Sequence, residues 1–178
     1  MQLNLITLET VKTQLGIGDT TYDTSITAMI PIVSSDIRRI LNTEYNEYVY
    51  VTITDTSADF ISGIEFKLGQ VVTGTGITAD TYIESFADLT STYTMSAVAT
   101  ADGTYLYPTV LIAQWPAISK MIFYKIGKQS TSSATEQQLS SMSYGPVSKS
   151  FSDSEINKKY DYPNIYIREL GTPYARMG

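Results

Sequence analysis

The sequence predicts an α+β protein in which a small α-helical bundle is interrupted by an inserted antiparallel β-domain and followed by a β-hairpin and a C-terminal docking tail. Three observations predict it. Apolar residues recur at three- and four-residue steps in residues 8–41 and again beyond Pro108. Between Glu47 and Tyr107 the chain is instead rich in Thr, Tyr, Val, Ile and Gly, with very few Lys or Arg, and turn-forming residues punctuate that segment at short intervals.

The first element is a helix of about two turns. Thr7 is placed to cap it, with Ile6 outside and Val11 inside forming an apolar staple, and Leu8, Val11 and Leu15 share a face. Gly16 supplies the left-handed stop, and Gly18, Asp19 and Thr20 form the loop. A second helix is written by Ile26, Met29, Ile30, Val33, Ile37, Ile40 and Leu41, a stripe with helical and not alternating spacing. Pro31 lies within it, removing one donor and crowding the carbonyl of Thr27, so a bend or loosening is expected there. Asp36, Arg38 and Arg39 are expected on the wetter side.

Strand periodicity begins at Tyr48–Thr54, where Val49, Val51 and Ile53 alternate with Tyr48, Tyr50, Thr52 and Thr54. Further strands are expected at residues 60–66, 70–73, 81–86, 92–96 and 104–107, with turns at 74–76, 87–88 and 102–103. Pro108 then suits the first position of a helix whose stripe, Leu111, Trp115, Ile118, Met121, Ile122 and Ile126, ends at Gly127 and is interrupted at Pro116. The Ser- and Thr-rich run within 128–136 reads as an exposed loop, and residues 139–144 and 147–151 as a hairpin around Gly145-Pro146. Ser152 or Asp153 could cap a last short helix. The domain division follows: residues 1–46 and 108–178 form the helical core with hairpin and tail, and residues 47–107 form the insertion.

Composition narrows the chemistry. With no cysteine and no histidine, disulfides, thiolate chemistry and imidazole acid–base catalysis are excluded. A net charge of −6 disfavours nonspecific adhesion to nucleic-acid phosphates, which requires clustered cations. No apolar run approaches a bilayer span and the N-terminus lacks a secretory pattern, so a soluble chain without a membrane segment is expected. GTGITADT at residues 74–81 is similar to a phosphate-binding glycine loop, but it lacks the Lys and opens no helix, so a β-turn is preferred. Asp55, Asp59, Asp80, Asp88 and Asp102 do not have the spacing of a cation loop, and no metal or cofactor is assigned. Asp153 and Glu155, two apart on a helix, diverge in direction and do not make an acid–base pair. A hydroxyl nucleophile has no base arranged for it, so no enzymatic activity is expected. Trp115 and the Met121–Phe123 run fit a core better than a ligand platform.

Taken in order, LITLETVKTQLGI, DTSITAMIPIVSSDIRRIL with its Ile30-Pro31 step, the helix after Pro108, the hairpin SMSYGPVSKSF and the segment DYPNIYIREL resemble the head–tail connector (adaptor, or head-completion) proteins of tailed bacteriophages. About two-thirds of the chain is covered. Family members usually lack a β-insertion; residues 69–86 and 92–107 themselves resemble a small β-module recurrent in phage virion proteins. The resemblance implies a structural virion protein of the neck, a homo-oligomeric ring, commonly a dodecamer, that sits under the portal protein. It would extend the DNA channel and meet a downstream neck or tail-completion protein, while genomic DNA passes through without sequence-specific binding. Net negative charge would suit a channel in which DNA slides. In the family the C-terminal region commonly contacts the portal, which directs attention to Tyr160, Tyr162, Pro163, Ile165, Tyr166, Arg168, Tyr174 and Arg176. Tyr and Arg are frequent interface anchors. The same tail could instead fold back and complete the core of its own subunit. An alternative assignment is a virion surface protein whose β-module binds carbohydrate or another virion protein.

Overall fold

Capping and periodicity act at the N-terminus as their chemistry dictates. A computed structural model describes residues 4–43, 45, 48–63, 65–87, 92–99, 105–131, 141–144, 147–150, 156–157 and 159–171. Helix α1 (Leu8–Leu15) starts where Thr7 Oγ1 accepts the Thr10 amide at 3.3 Å. It stops at Gly16, whose φ of 67° lets Ile17 N donate back to Lys12 O at 2.9 Å. Helix α2 (Asp23–Leu41) runs through Pro31 unbroken and ends on Asn42, left-handed at φ 55°, with Thr43 N donating to Arg38 O. The expected stripe is buried from Ile26 to Leu41, while Pro31 is exposed, so the missing amide lies on the solvent side. Arg38 corrects the expected wet face: it is buried.

The chain divides into two compact units, residues 1–43 with 114–178, and residues 44–113. The second unit is a six-stranded antiparallel sheet of β1 (Val49–Thr54), β2 (Ser57–Gly63), β3 (Gln70–Thr73), β4 (Ile83–Ala87), β5 (Thr92–Met95) and β6 (Tyr105–Leu111), in spatial order β3-β6-β1-β2-β5-β4. Its two outermost strands meet: Val71 bridges Tyr82, Val72 N donates to Thr81 O at 2.9 Å and Gly69 N to Ile83 O at 2.8 Å. The sheet thereby curls into a near-barrel, which leaves little open edge. Its interior is filled by Val49, Val51, Ile53, Ala58, Phe66, Val72, Ile83, Tyr93, Met95 and Leu106. Gly63, at φ 120°, sits where a Cβ would lie 2.6 Å from Tyr48 O, so only glycine fits this close approach.

Two sequence expectations fail here. The strand expected at residues 60–66 is β2, which starts earlier, at Ser57, and ends at Gly63, because Asp55 adopts φ 53° and Asp55-Thr56 makes a two-residue hairpin turn between Thr54 and Ser57. Pro108 does not start a helix; it lies in β6 opposite Val72, beside a register shift that tolerates its missing amide. The helix, α3 (Trp115–Thr131), starts seven residues later, so Pro116 occupies its first turn and interrupts nothing, and the helix passes Gly127.

In the first unit α3 packs on α1 and α2, and on a short helix α4 (Asn164–Leu170). Leu5, Ile6, Val11, Ile118, Met121, Ile122 and Tyr124 are buried there. Strands β7 (Ser141–Tyr144) and β8 (Val147–Ser150) form the expected hairpin; Gly145-Pro146 lie outside the described residues. Ser152 and Asp153 also lie outside them, and Ile156–Asn157, where a helix was expected, is β9, paired with β10 (Tyr162–Pro163). Among the described residues no helix is long and apolar enough to cross a membrane.

Candidate functional site

The C-terminal segment, where the interface candidates were placed, is positioned by a turn and a charge network. Asn157 Oδ1 accepts the amides of Lys159 and Tyr160, Asp161 adopts φ 58°, and the chain reverses into β10 and α4. Tyr162 is thereby carried into the interior, fully buried, and its hydroxyl donates to Asp36 Oδ2 at 2.7 Å. The other Asp36 oxygen accepts from Arg39 at 2.9 Å. Lys125 Nζ lies 3.7 Å from Asp36 and 4.0 Å from Asp161, and 4.6 Å from the centre of the Tyr162 ring. Lys128 closes on Asp161, and Lys120 pairs with Glu169 at 2.9 Å. Gln114 Nε2 donates to the Leu170 carbonyl at the end of α4.

Burial first, and then the Asp36 carboxylate, push the Tyr162 hydroxyl far above the usual tyrosine range. Burial likewise pushes Tyr124, whose ring centre is 6.1 Å from that of Tyr162, up to about 12. Both hydroxyls are held neutral. This arrangement fastens a segment; it does not activate one of its members.

The candidates therefore separate. Tyr162, Pro163 and Tyr166 are buried within their own unit and present no surface to a partner. Tyr160 is half-buried, 5.8 Å from the Arg39 guanidinium, while Ile165 and Arg168 are exposed. Tyr174 and Arg176 lie outside the described residues. The sequence did hold a signal for part of the buried set: Tyr166 and Leu170 are four apart and share the buried face of α4, whereas Tyr162 precedes that helix in β10. Asp36, Lys125, Asp161 and Lys128 were missed because no spacing along the chain joins residues so distant in sequence.

The remaining candidates fall on the β-unit or the α3 core. Residues 74–81 make turns between β3 and β4, with Gly76 at φ 74° and Thr78 O accepting both the amide and hydroxyl of Thr81. Met121, Ile122 and Phe123 are buried. Among the described residues no three of His, Cys, Asp and Glu converge as metal ligands. Charge is unevenly divided: residues 44–113 hold nine carboxylates and one cation, Lys67, for a net −8, whereas the helical unit is at +2. Comparison with protein-family models, with curated proteins and with solved structures found no match.

Proposed function

We propose that this chain is a structural virion protein of the tailed-phage neck, a head–tail connector that forms a ring beneath the portal and offers its other side to the next neck protein. It acts without catalysis or cofactor. What supports the reading is that α1, α2 with its Pro31, α3 and the Tyr162–Leu170 segment, the stretches that resemble connector proteins, fold into one unit that the β-segment only interrupts. A ring requires two different faces on each subunit. On this reading the exposed Ile165 and Arg168 of α4 are the portal-side contacts that remain, since Tyr162 and Tyr166 hold α4 in place from beneath. The charge division limits one corollary: a surface that repels DNA phosphates belongs to the β-unit, because the helical unit alone is not acidic.

Electron microscopy of the purified protein mixed with a portal from the same phage tests this. The expected result is a ring of added density on the portal, lost when Ile165 and Arg168 are both replaced by Glu. A portal that gains no density, or virions that join heads to tails without this chain, overturns it.

A further inference from the structure

Positive charge is left over at one corner of the helical unit. Where the turn between β9 and β10 meets α2 and α3, Asp36 holds Arg39 at 2.9 Å and Lys125 at 3.7 Å, and Asp161 holds Lys125 at 4.0 Å and Lys128. Lys159 adds a further cation, 4.9 Å from the centre of the Tyr160 ring, and the Arg39 guanidinium lies 5.8 Å from the same ring. Among the described residues these four cations share two carboxylates, and Lys159 has no carboxylate against it. The surplus faces outward: Lys159 is exposed, and the Arg39 side chain is 60% exposed although it also holds Asp36. Two exposed cations resting on one half-buried aromatic ring make a ready contact for carboxylates.

The β-unit presents the converse. Asp55 stands at the turn of the β1–β2 hairpin and Asp59 follows on β2, opposite Thr52; both are exposed. Thr92 Oγ1 donates to Asp59 Oδ1 at 2.7 Å, which orients that carboxylate, but among the described residues no cation pairs with either aspartate. Lys67 is the single cation of a unit with a net −8. Each copy thus carries two exposed carboxylates without a counter-charge on one unit and a cationic surplus on the other. Two patches that differ and match suit a head-to-tail contact, since a symmetric one would set like charges together.

We propose that the corner holding Arg39 and Lys159 in one copy receives the β1–β2 hairpin, with Asp55 and Asp59, of the next copy. The occupant is a second copy because the carboxylates that match the corner are on the chain itself. This names the subunit interface of the ring, and it rests on the neck reading for that ring. Attraction between the corner and the acidic unit steers the encounter and weakens as salt is added.

The chain has no cysteine, so introduced ones report position without background. Ser35→Cys, exposed on α2 one turn before Arg39, and Thr52→Cys, exposed and opposite Asp59, leave the charged residues of both patches intact. The two variants are mixed, with and without portal, and joined by a short bis-maleimide. A dimer containing one of each is expected, with a lower yield at high salt. The yield is expected to fall about tenfold when the Ser35→Cys copy also carries Arg39→Glu and Lys159→Glu. Lys159→Glu alone, which removes no ion pair, is expected to act in the same direction, and Asp55→Lys with Asp59→Lys on the other copy restores the yield. Circular dichroism verifies that the variants fold. No mixed dimer in either sample, a yield indifferent to these charge reversals, or links only between like copies overturns the proposal. So does retention of duplex DNA that Lys159→Glu abolishes while no mixed dimer forms, which assigns the corner to phosphate. Rings on the portal without the mixed dimer overturn this interface and leave the neck reading standing; a mixed dimer beside a portal that gains no density does the reverse.

Discussion

Tyr162 carries a hydroxyl where water does not reach, and Asp36, from a helix more than a hundred residues earlier, receives it. A hydrogen bond to a carboxylate in such a place is worth more than an exposed one, and Lys125 beside it offsets the cost of sheltering the negative charge. Tyr162→Phe is expected to destabilise the helical unit by about 1 to 3 kcal/mol, measured by denaturant unfolding. A pH effect follows with a definite sign. Tyrosine in an unfolded chain ionises near 10.0, and in the folded protein Tyr162 and Tyr124 are both raised above that value. Their contribution is whole below pH 10 and is lost as pH climbs past it, through about 12 for Tyr124 and beyond for Tyr162. The melting temperature is expected to fall above pH 10, more steeply for the parent protein than for Tyr162→Phe. The identity of this tyrosine as an anchor was legible only as the alternative in which the tail folds back on its own subunit, because its partner, Asp36, shows in no local pattern.

At the level of elements, local chemistry succeeded where a boundary is set by neighbouring residues and failed where it is set by pairing elsewhere. Thr7 and Gly16 marked both ends of α1, because a cap is a contact over three or four residues. Pro108 misled, because its strand is decided by Val72 across the sheet. The strand start at Ser57 was missed because a left-handed Asp at position 55 does the work usually given to glycine. Two substitutions of opposite sign probe the helices. Thr7→Ala removes the acceptor for the Thr10 amide and is expected to cost about 1 kcal/mol. Pro31→Ala, at an exposed site inside α2, returns a donor to the Thr27 carbonyl and is expected to gain roughly 1 to 3 kcal/mol. Denaturant midpoints compare them. A loss of stability in Pro31→Ala would mean that the helix has accommodated the ring and depends on it.

For the whole molecule, the α+β class and the order of its parts were legible, since helical and alternating periods occupy separate stretches of chain. The closure of the sheet was not, because it depends on a bridge between its first and last strands in space. Each unit has its own apolar interior, so excising residues 44–113 and rejoining the ends with a flexible linker is expected to leave the helical unit folded. Calorimetry of the full chain should then show two transitions, with Tyr162→Phe lowering only one of them. A single transition that every variant shifts would mean the units melt together.

The interruption also imposes a schedule on synthesis. Helices α1 and α2 leave the ribosome with their greasy side uncovered, and α3, which packs against it, follows only after seventy residues more, those of 44–113. At a translation speed of roughly 5 to 20 residues per second this delay lasts several seconds, long compared with the collapse of a small chain. The intervening segment can fold first and draw its two ends inward, so the nascent polypeptide has a shorter tether to close and fewer opportunities to stick to its siblings.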